Sequence, residues 1–343
     1  MRVKKSRKGA PGIVEVAERA GVSIATVSRA LSKPDVVREA TRLKIEIAAS
    51  ELGYIPNSMA SGLHQKFSGT VGLIVPTIDN AIFAEMINAF TDQLRKHDRN
   101  LLIATHNYDL SHETSIIRSL LERRIDGIVL VGLDHEQTPM NMLAGRNIPV
   151  VQIWNYKADS QLPCIGADNF GAGACIATHL IELGHTDIGF VFPDLASNDR
   201  ARDRLNGAKY ALQKSGIKPK ENHFYTCPYN IGAAKELAKT AFLQDLPTAI
   251  ICGNDVIAQG IMLGFQALGI KVPKDVSIAG IGDFSVAAYL EPSLTTARLP
   301  AKRIGRLAAD QIVHMCDTGN VPDPKNQVVE FTFLKRESTA EPH

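Results

Sequence analysis

From Val71 onward, short apolar runs of strand type alternate with longer helical stretches, and this alternation limits the possible folds more than any other feature of the chain. The runs are Val71–Val75, Leu101–Thr105, Gly127–Val131, Val150–Ile153, Ile188–Phe192, Ala249–Cys252 and Val276–Ile281. Between them the helical period recurs at about Phe83–His97, Glu113–Arg123, Gly171–Leu183, Arg200–Ser215, Gly232–Leu243 and Asp255–Leu268. Such alternation marks parallel sheets covered by helices on both faces. Some 270 residues are too many for one simple open sheet, and the segments fall into two similar sets around residues 155–165. The expected body is therefore two doubly wound lobes, with a ligand crevice at the carboxyl ends of the strands.

Charge separates this body from what precedes it. The whole chain of 343 residues carries a net charge of only +2, which taken alone argues against a nucleic-acid partner. Residues 1–66 hold 12 Lys/Arg against six Asp/Glu, a net of +6, while the remainder holds 26 against 30, a net of −4. A small basic head on a slightly acidic body suggests a charge-attracting module joined to something else. The five cysteines (164, 175, 227, 252, 316) show no Cys-x-x-Cys pair, so free buried thiols are expected rather than a disulfide frame or zinc ribbon. No apolar run approaches the ~18–20 residues of a membrane span. The basic start is followed by Pro11-Gly12 and charges, not by a signal-peptide core, so a cytoplasmic protein is expected.

The head reads as three short helices. Ile13, Val16, Ala17 and Ala20 share one face, Gly21 interrupts, and Ser23 caps a second helix running to about Leu31. A third spans about Glu39–Leu52, with Leu43, Ile47 and Leu52 expected inward and Gly53 as its stop. Ala17, Gly21 and Val27 supply what a helix-turn-helix requires: a small residue at the crossing, a turn residue tolerant of positive φ, and an apolar residue packed back on the first helix. Val16, Val22, Ala30 and Leu31 complete the core, leaving Ile24, Ala25, Ser28 and Arg29 outward. A generic helical hairpin has the same spacings; the charge and the exposed Arg29 favour DNA. Arg29 suits a bidentate contact to guanine, worth ~1–3 kcal/mol of discrimination. Ile24 and Ala25 offer only apolar contact.

At these residues a resemblance enters. Val16-Ala-Glu-Arg-Ala-Gly-Val-Ser-Ile-Ala-Thr-Val-Ser-Arg29 and Glu51-Leu-Gly-Tyr-Ile-Pro-Asn57 resemble the head of the lactose/galactose repressor (LacI/GalR) family. The match continues through Asp126-Gly-Ile128, Asp168-Asn169, Leu183-Gly-His185, Cys252-Gly-Asn-Asp255, Val272-Pro-Lys-Asp-Val-Ser277, Leu294-Thr-Thr296 and Glu337-Ser-Thr339. It implies a small all-α helix-turn-helix head (1–56), a hinge helix and linker (57–69), and a two-lobed effector-binding and dimerisation body (70–343). That body would be α/β, like type I periplasmic binding proteins, with parallel doubly wound sheets. The resemblance also implies DNA contacts at Ser23, Ile24, Ala25, Thr26, Ser28, Arg29, Asn57, Ala60 and Leu63, on a pseudo-palindromic operator bound by a homodimer, with a tetramer open. Leu63 would be the minor-groove wedge of the hinge. The hinge departs from the family, which often has Ala-Arg-x-Leu where this chain has Ala60-Ser61-Gly62-Leu63; Gly62 costs ~1 kcal/mol in a helix. A hinge more dependent on DNA for its folding is expected. Arg38 stands where relatives often have Ser, leaving the start of the third helix open.

In the body, the resemblance implies effector contacts at Ile82, Phe83, Asp168, Asn169, Asn198, Arg200, Arg204, Asp255 and Asp283. Each has a competitor: Phe83 as helix core, Asp255 and Asp283 as caps, Arg200 and Arg204 as a solvated face balanced by Asp199 and Asp203. As an anion site, the two arginines share a face at i, i+4 while Arg202 points elsewhere. Gly282 replaces an aspartate that many relatives carry, which favours an anionic effector. Trp154 either stacks on a polyol or packs between lobes. Gln152-Ile-Trp154 resembles the gluconate-repressor branch, implying a sugar or a sugar acid such as gluconate.

Two rivals remain: an enzyme on a doubly wound fold, and a sugar-binding protein without a DNA role. Gly171-Ala-Gly173 and Gly280-Ile-Gly282 do not extend to a full dinucleotide fingerprint. No phosphate loop, G-x-S-x-G elbow or His-Glu-x-x-His occurs, and the ten histidines lack ligand spacing. No catalytic residue, metal ligand, cofactor or membrane partner is expected.

Overall fold

The computed structural model describes residues 11–32, 34–55 and 67–343. They fall into two compact units that divide between Ser68 and Gly69, each built on its own core.

In the first unit, α1 (Ile13–Ala20), α2 (Ile24–Ser32) and α3 (Glu39–Leu52) enclose Val16, Ala17, Val27, Ala30, Ile45, Ala48 and Ala49. Gly21 closes α1 in the left-handed region at φ 65°, and the Val22 N–H reaches the Ala17 carbonyl at 3.0 Å. That turn needs glycine because a Cβ disfavours positive φ. The third helix corrects the expected inward set. Ile45, Ala48 and Ala49 are buried and Leu52 packs against them, whereas Leu43 and Ile47 are 48% and 58% exposed. Each lies two positions from Ile45, about 200° around a helix, so the stripe 45-48-49-52 excludes them. The helix starts at Glu39 without a side-chain cap from Arg38.

The second unit contains two six-stranded sheets. The first has the order β11-β5-β4-β3-β1-β2, from β1 (Thr70–Val75), β2 (Asn100–Thr105), β3 (Gly127–Val131), β4 (Val150–Asn155), β5 (Cys164–Ala167) and β11 (Gln327–Val329). In the second, the order is β12-β10-β9-β8-β6-β7, from β6 (Ile188–Phe192), β7 (Phe224–Thr226), β8 (Ala249–Cys252), β9 (Ser277–Gly282), β10 (Thr295–Arg298) and β12 (Thr332–Leu334). Only the β10–β12 pair is antiparallel. The central strands β1, β3 and β4 are buried along almost their whole length because both faces are covered.

Helices α4 (Ala81–Arg95), α5 (Glu113–Glu122), α6 (Gln137–Ala144) and α11 (Ala301–Thr318) serve the first lobe. The second lobe carries α7 (Asn169–Glu182), α8 (Asp199–Lys214), α9 (Ile231–Ala241) and α10 (Asp255–Leu268). Phe83, Met86, Phe90 and Leu94 line the buried face of α4. The chain passes between lobes three times: after β5, after β10, and between β11 and β12. In each sheet the order reverses at its first strand, β1 or β6, with the loops at the carboxyl ends of both sheets carrying the crevice described next. The five cysteines are free thiols, four of them buried.

Candidate functional site

Two features answer the expectations of the sequence, one in each unit. In the head, Ser23 closes the open end of α2: its Oγ accepts the Thr26 N–H at 3.2 Å and lies 2.8 Å from Thr26 Oγ1. Ser23, Ile24, Ala25, Ser28 and Arg29 are exposed and Thr26 is half-buried, while Val27 and Ala30 turn into the core. The outward residues thus lie along one solvent-facing side of a short helix, with Arg29 near its end. Asn57, Ala60 and Leu63, and with them the expected hinge helix, lie outside the described residues.

In the body, a narrow crevice opens between the two sheets. Its first-lobe wall comes from Asn80, Ile82 and Phe83 after β1, Tyr108 after β2 and Trp154 at the end of β4. The second-lobe wall comes from Asn198, Arg200 and Arg204 after β6, Tyr229 after β7, Asn254 after β8, and Ile281 and Phe284 around the end of β9; Leu299 follows β10. Phe83 and Trp154 meet edge to face at 5.3 Å, and Tyr108 meets Tyr229 across the lobes at 5.6 Å. Trp154 is held at φ +77° and is 2% exposed, with no partner for its indole N–H. Strain together with an unmade hydrogen bond costs several kcal/mol in general and gathers at functional sites.

Helix α8 places the arginines, and its register is set by α7. A Cβ at Gly173 would fall on the Arg204 carbonyl, and one at Gly207 on the Phe170 carbonyl, so both glycines are needed for the two helices to meet. The Arg204 Nε donates to Asn169 Oδ1 at 2.8 Å and its Nη1 to the Gly253 carbonyl at 2.9 Å. Both partners are neutral, and burial pulls the Arg204 pKa below its usual value. Arg200 donates through Nη1 to Asp199 Oδ1 at 2.6 Å, and its buried Nη2 has no partner. Burial alone would raise the Asp199 carboxyl. Arg200, the Leu133 amide and Asn155 outweigh it and hold the pKa below the ordinary range. Behind Arg200, in the first lobe, His135 Nδ1 meets Glu113 Oε1 at 2.8 Å, and burial lowers the pKa of neighbouring His106.

Six of the ten expected effector residues line this crevice: Ile82, Phe83, Trp154, Asn198, Arg200 and Arg204. The other four are placed elsewhere. Asp168 is exposed and caps α7 through the Gly171 N–H at 2.7 Å. Asn169 is buried behind the wall, where its amide donates to the Trp154 carbonyl at 2.9 Å while its oxygen holds Arg204. Asp255 is sealed off, its two oxygens accepting from Thr296 Oγ1 at 2.7 Å and the Phe284 N–H at 2.9 Å; burial pushes its pKa up to about 6. Asp283 pairs with Arg298 and Arg336, both at 2.6 Å, beside a separate groove. As expected, Arg202 points away, to Asp134 at 2.5 Å.

Sequence reasoning missed Asn80, Tyr108, Tyr229, Asn254, Ile281, Phe284 and Leu299. Asn80 and Asn254 carried a readable signal, an asparagine directly before a helical stretch. The tyrosines sit in loops without any pattern.

Among the described residues one cluster has metal-ligand spacing: Asp187, His223 and Asp245. Lys220 Nζ already stands 2.8 Å from Asp187 and 3.4 Å from Asp245, and the His223 nitrogens lie 3.0 Å from the two carboxylates without hydrogen-bond alignment. The Lys220 ammonium stands against both carboxylates where a cation would have to sit.

Residues 68–337 match the profile described as periplasmic binding proteins and sugar binding domain of LacI family, and residues 12–57 match bacterial regulatory proteins, lacI family. The HTH-type transcriptional repressor PurR of Aliivibrio salmonicida is 32% identical over 303 residues, covering 87% of this chain and 90% of PurR. Over 333 residues the HTH-type transcriptional regulator GntR of Pseudomonas aeruginosa is 31% identical, with 96% of each chain covered. A crystal structure of a LacI family regulator from Silicibacter pomeroyi superposes with a TM-score of 0.88 at 27% identity, over 96% of this chain and 99% of that one.

Proposed function

The chain belongs to the LacI family of bacterial regulatory proteins, and on that premise we propose a homodimeric repressor whose hold on its operator is set by a small molecule bound between the lobes. It is a DNA-binding regulator with a sugar-binding type of body, as its relatives named repressor PurR and regulator GntR are regulators. The observation that carries the reading is the solvent-facing side of α2. Its apolar side is consumed by the core, yet Ile24, Ala25, Ser28 and Arg29 face outward on a unit with a +6 charge. Such a helix suits the major groove, with Arg29 as the base reader and Ser23 and Thr26 at the entering end.

In this reading residues 1–56 recognise DNA. Residues 57–69 form the hinge, with Asn57, Ala60 and Leu63 on the minor groove. Residues 70–343 bind effector and hold the two copies together, each copy placing one Arg29 on a pseudo-palindrome. The effector is a sugar or sugar acid contacting Ile82, Phe83, Trp154, Asn198, Arg200 and Arg204. It acts by its difference in affinity for the two arrangements of the lobes. The crevice wall consists of asparagine, tyrosine, arginine and apolar side chains, which supports binding rather than catalysis. The described residues contain no helix long and apolar enough to cross a membrane, and the proposed place of work is the cytoplasm.

Selection of bound duplexes from a random pool, followed by titration of the winning site, tests the reading. A pseudo-palindromic consensus is the expected result, with affinity falling steeply in salt. Absence of any sequence preference overturns it. Removal of residues 1–66 should abolish operator binding and leave effector binding intact.

A further inference from the structure

We propose that Asp126 is a positioning residue for regulation: its carboxylate fastens Gly69, where the linker enters the body, to the first lobe, so that movement of that lobe about the crevice is carried into the linker. This rests on the DNA and crevice readings given above.

Three residues stand side by side at the amino ends of adjacent parallel strands: Gly69 before β1, Arg99 before β2 and Asp126 before β3. Asp126 Oδ2 accepts the Gly69 N–H at 2.7 Å, the Thr70 N–H at 3.3 Å and Arg99 Nη1 at 3.1 Å. The Gly69 carbonyl accepts the Asn100 N–H at 2.7 Å, and the Thr70 carbonyl accepts the Asp126 N–H at 2.8 Å. Both backbone polar groups of Gly69 are therefore fixed, at a φ of +72° that only glycine adopts freely. The Arg99 and Asp126 side chains are 13% and 6% exposed, so water competes little for these charge-assisted bonds. The other arm of the Arg99 guanidinium holds Asp317, in the last turn of α11.

The crevice lies at the opposite, carboxyl ends of the same strands, and two helices span the distance. Helix α4 starts after Asn80, with Ile82 and Phe83 on the crevice wall, and runs 15 residues, about 22 Å, toward Arg99. Helix α11 starts just beyond Leu299, also on the wall, and runs 18 residues, about 27 Å, to the Arg99 partner Asp317. The two are packed without slack: a Cβ at Gly305 would lie 2.5 Å from the Met86 carbonyl oxygen. At the start of β3, a Cβ at Gly127 would lie 2.8 Å from Cys316 Sγ on α11. Close packing of this kind transmits displacement instead of absorbing it. The first lobe is thus a lever with the crevice at one end and Gly69 at the other. Asp126 is the fastening between lever and linker.

Trp154, the one tryptophan of the chain, lines the crevice, so its fluorescence reports the body while a labelled operator duplex reports the head. The duplex is the one that wins the selection described above. Adding it to the full chain should change Trp154 emission and the hydrogen exchange of amides 80–83 and 198–204, because coupling between two binding sites is reciprocal. Asp126→Asn keeps the outline of the side chain and leaves Arg99 on Asp317. It should still bind the duplex with sequence preference, and both changes should be lost. Asp310→Ala cuts the contacts of α11 to Gln93 and His97 without touching Gly69, and should keep both changes. Thermal unfolding reports that each variant is folded. A full response in Asp126→Asn overturns the proposal, as does a native crevice that ignores the bound duplex. Equal loss in Asp310→Ala also overturns it, since any loosening of the first lobe would then suffice. If the native chain binds no duplex with sequence preference, the DNA reading falls instead.

Discussion

The Asp199 carboxylate accepts the backbone N–H of Leu133 at 2.8 Å, joining the first turn of α8 in one lobe to the loop after β3 in the other. The same oxygen receives the Asn155 amide at 3.1 Å, and its partner oxygen holds Arg200. With Arg202 on Asp134, this turn latches the second lobe to the first.

Asp199→Ala removes the latch and strands the Arg200 guanidinium in a buried site. The expected loss is about 3–5 kcal/mol, the range for a buried pair broken from one side. Urea unfolding measures it. Small-angle scattering should show a larger radius as the lobes part. Asp199→Asn keeps an acceptor for Leu133 and should lose less. A stability loss without any change in radius would assign Asp199 to the fold of α8 and deny it the latch.

Asp255 gives stability a pH dependence of definite sign. Its folded pKa is raised to about 6 from an ordinary 3.8. The protonated form is thus favoured by folding, and that contribution is complete below 3.8 and lost as pH rises through 6. Relative to Asp255→Asn, the native chain should lose stability between pH 4 and 7, read as a shrinking difference in urea midpoint. Asp199 has the opposite sign, its contribution being lost only as pH falls below the ordinary carboxylate range.

Arg29→Ala should relax base discrimination by about 1–3 kcal/mol at one position of each half-site. Arg29→Lys keeps the charge and loses the two-pronged contact, so it should restore the salt slope and leave discrimination poor. Competition titrations with single-base operator variants separate the two effects. Effector affinity should be untouched in both.

Gly207→Ala places a methyl group on the Phe170 carbonyl, where backbone cannot yield cheaply. A loss of about 1–3 kcal/mol or more is expected from overpacking. Arg204 lies one turn earlier on the same helix, so effector affinity should fall along with the melting temperature. A drop in melting temperature with unchanged affinity would uncouple the helix crossing from the crevice.

What the sequence disclosed follows from how strongly each element is written. The long central strands and the helices between them were legible because burial on both faces demands continuous apolar runs. Strands of three or four residues, such as β7 and β10 to β12, carry too little pattern. Helix α11 escaped because the bulky residues of its buried side, Ile304, Ile312, Val313 and Met315, are interrupted by Gly305, Ala308 and Ala309. A Cβ at Gly305 would strike the Met86 carbonyl, so close packing on α4 requires glycine there. In α3 the apolar residues on the wrong side, Leu43 and Ile47, drew attention away from the true stripe. At the crevice Arg200, Arg204, Phe83 and Trp154 could be named in advance, whereas Tyr108, Tyr229 and Phe284 could not. The acids could not be assigned, because capping α7, holding Phe284 and Thr296, and pairing with Arg298 depend on partners 3 to 53 residues away.

The return of the chain to each lobe has a consequence during synthesis. The first sheet lacks its edge until β11 at 327–329 is made, and the second until β12 at 332–334. Ser338 and Ala340 then lock onto Thr295, Ile278 and Ser277 in the interior of the second lobe. The head, in contrast, closes its core with the first 55 residues. On the ribosome the reader of DNA is therefore finished hundreds of residues before the part that governs it. The governing part matures all at once, as its last strands arrive.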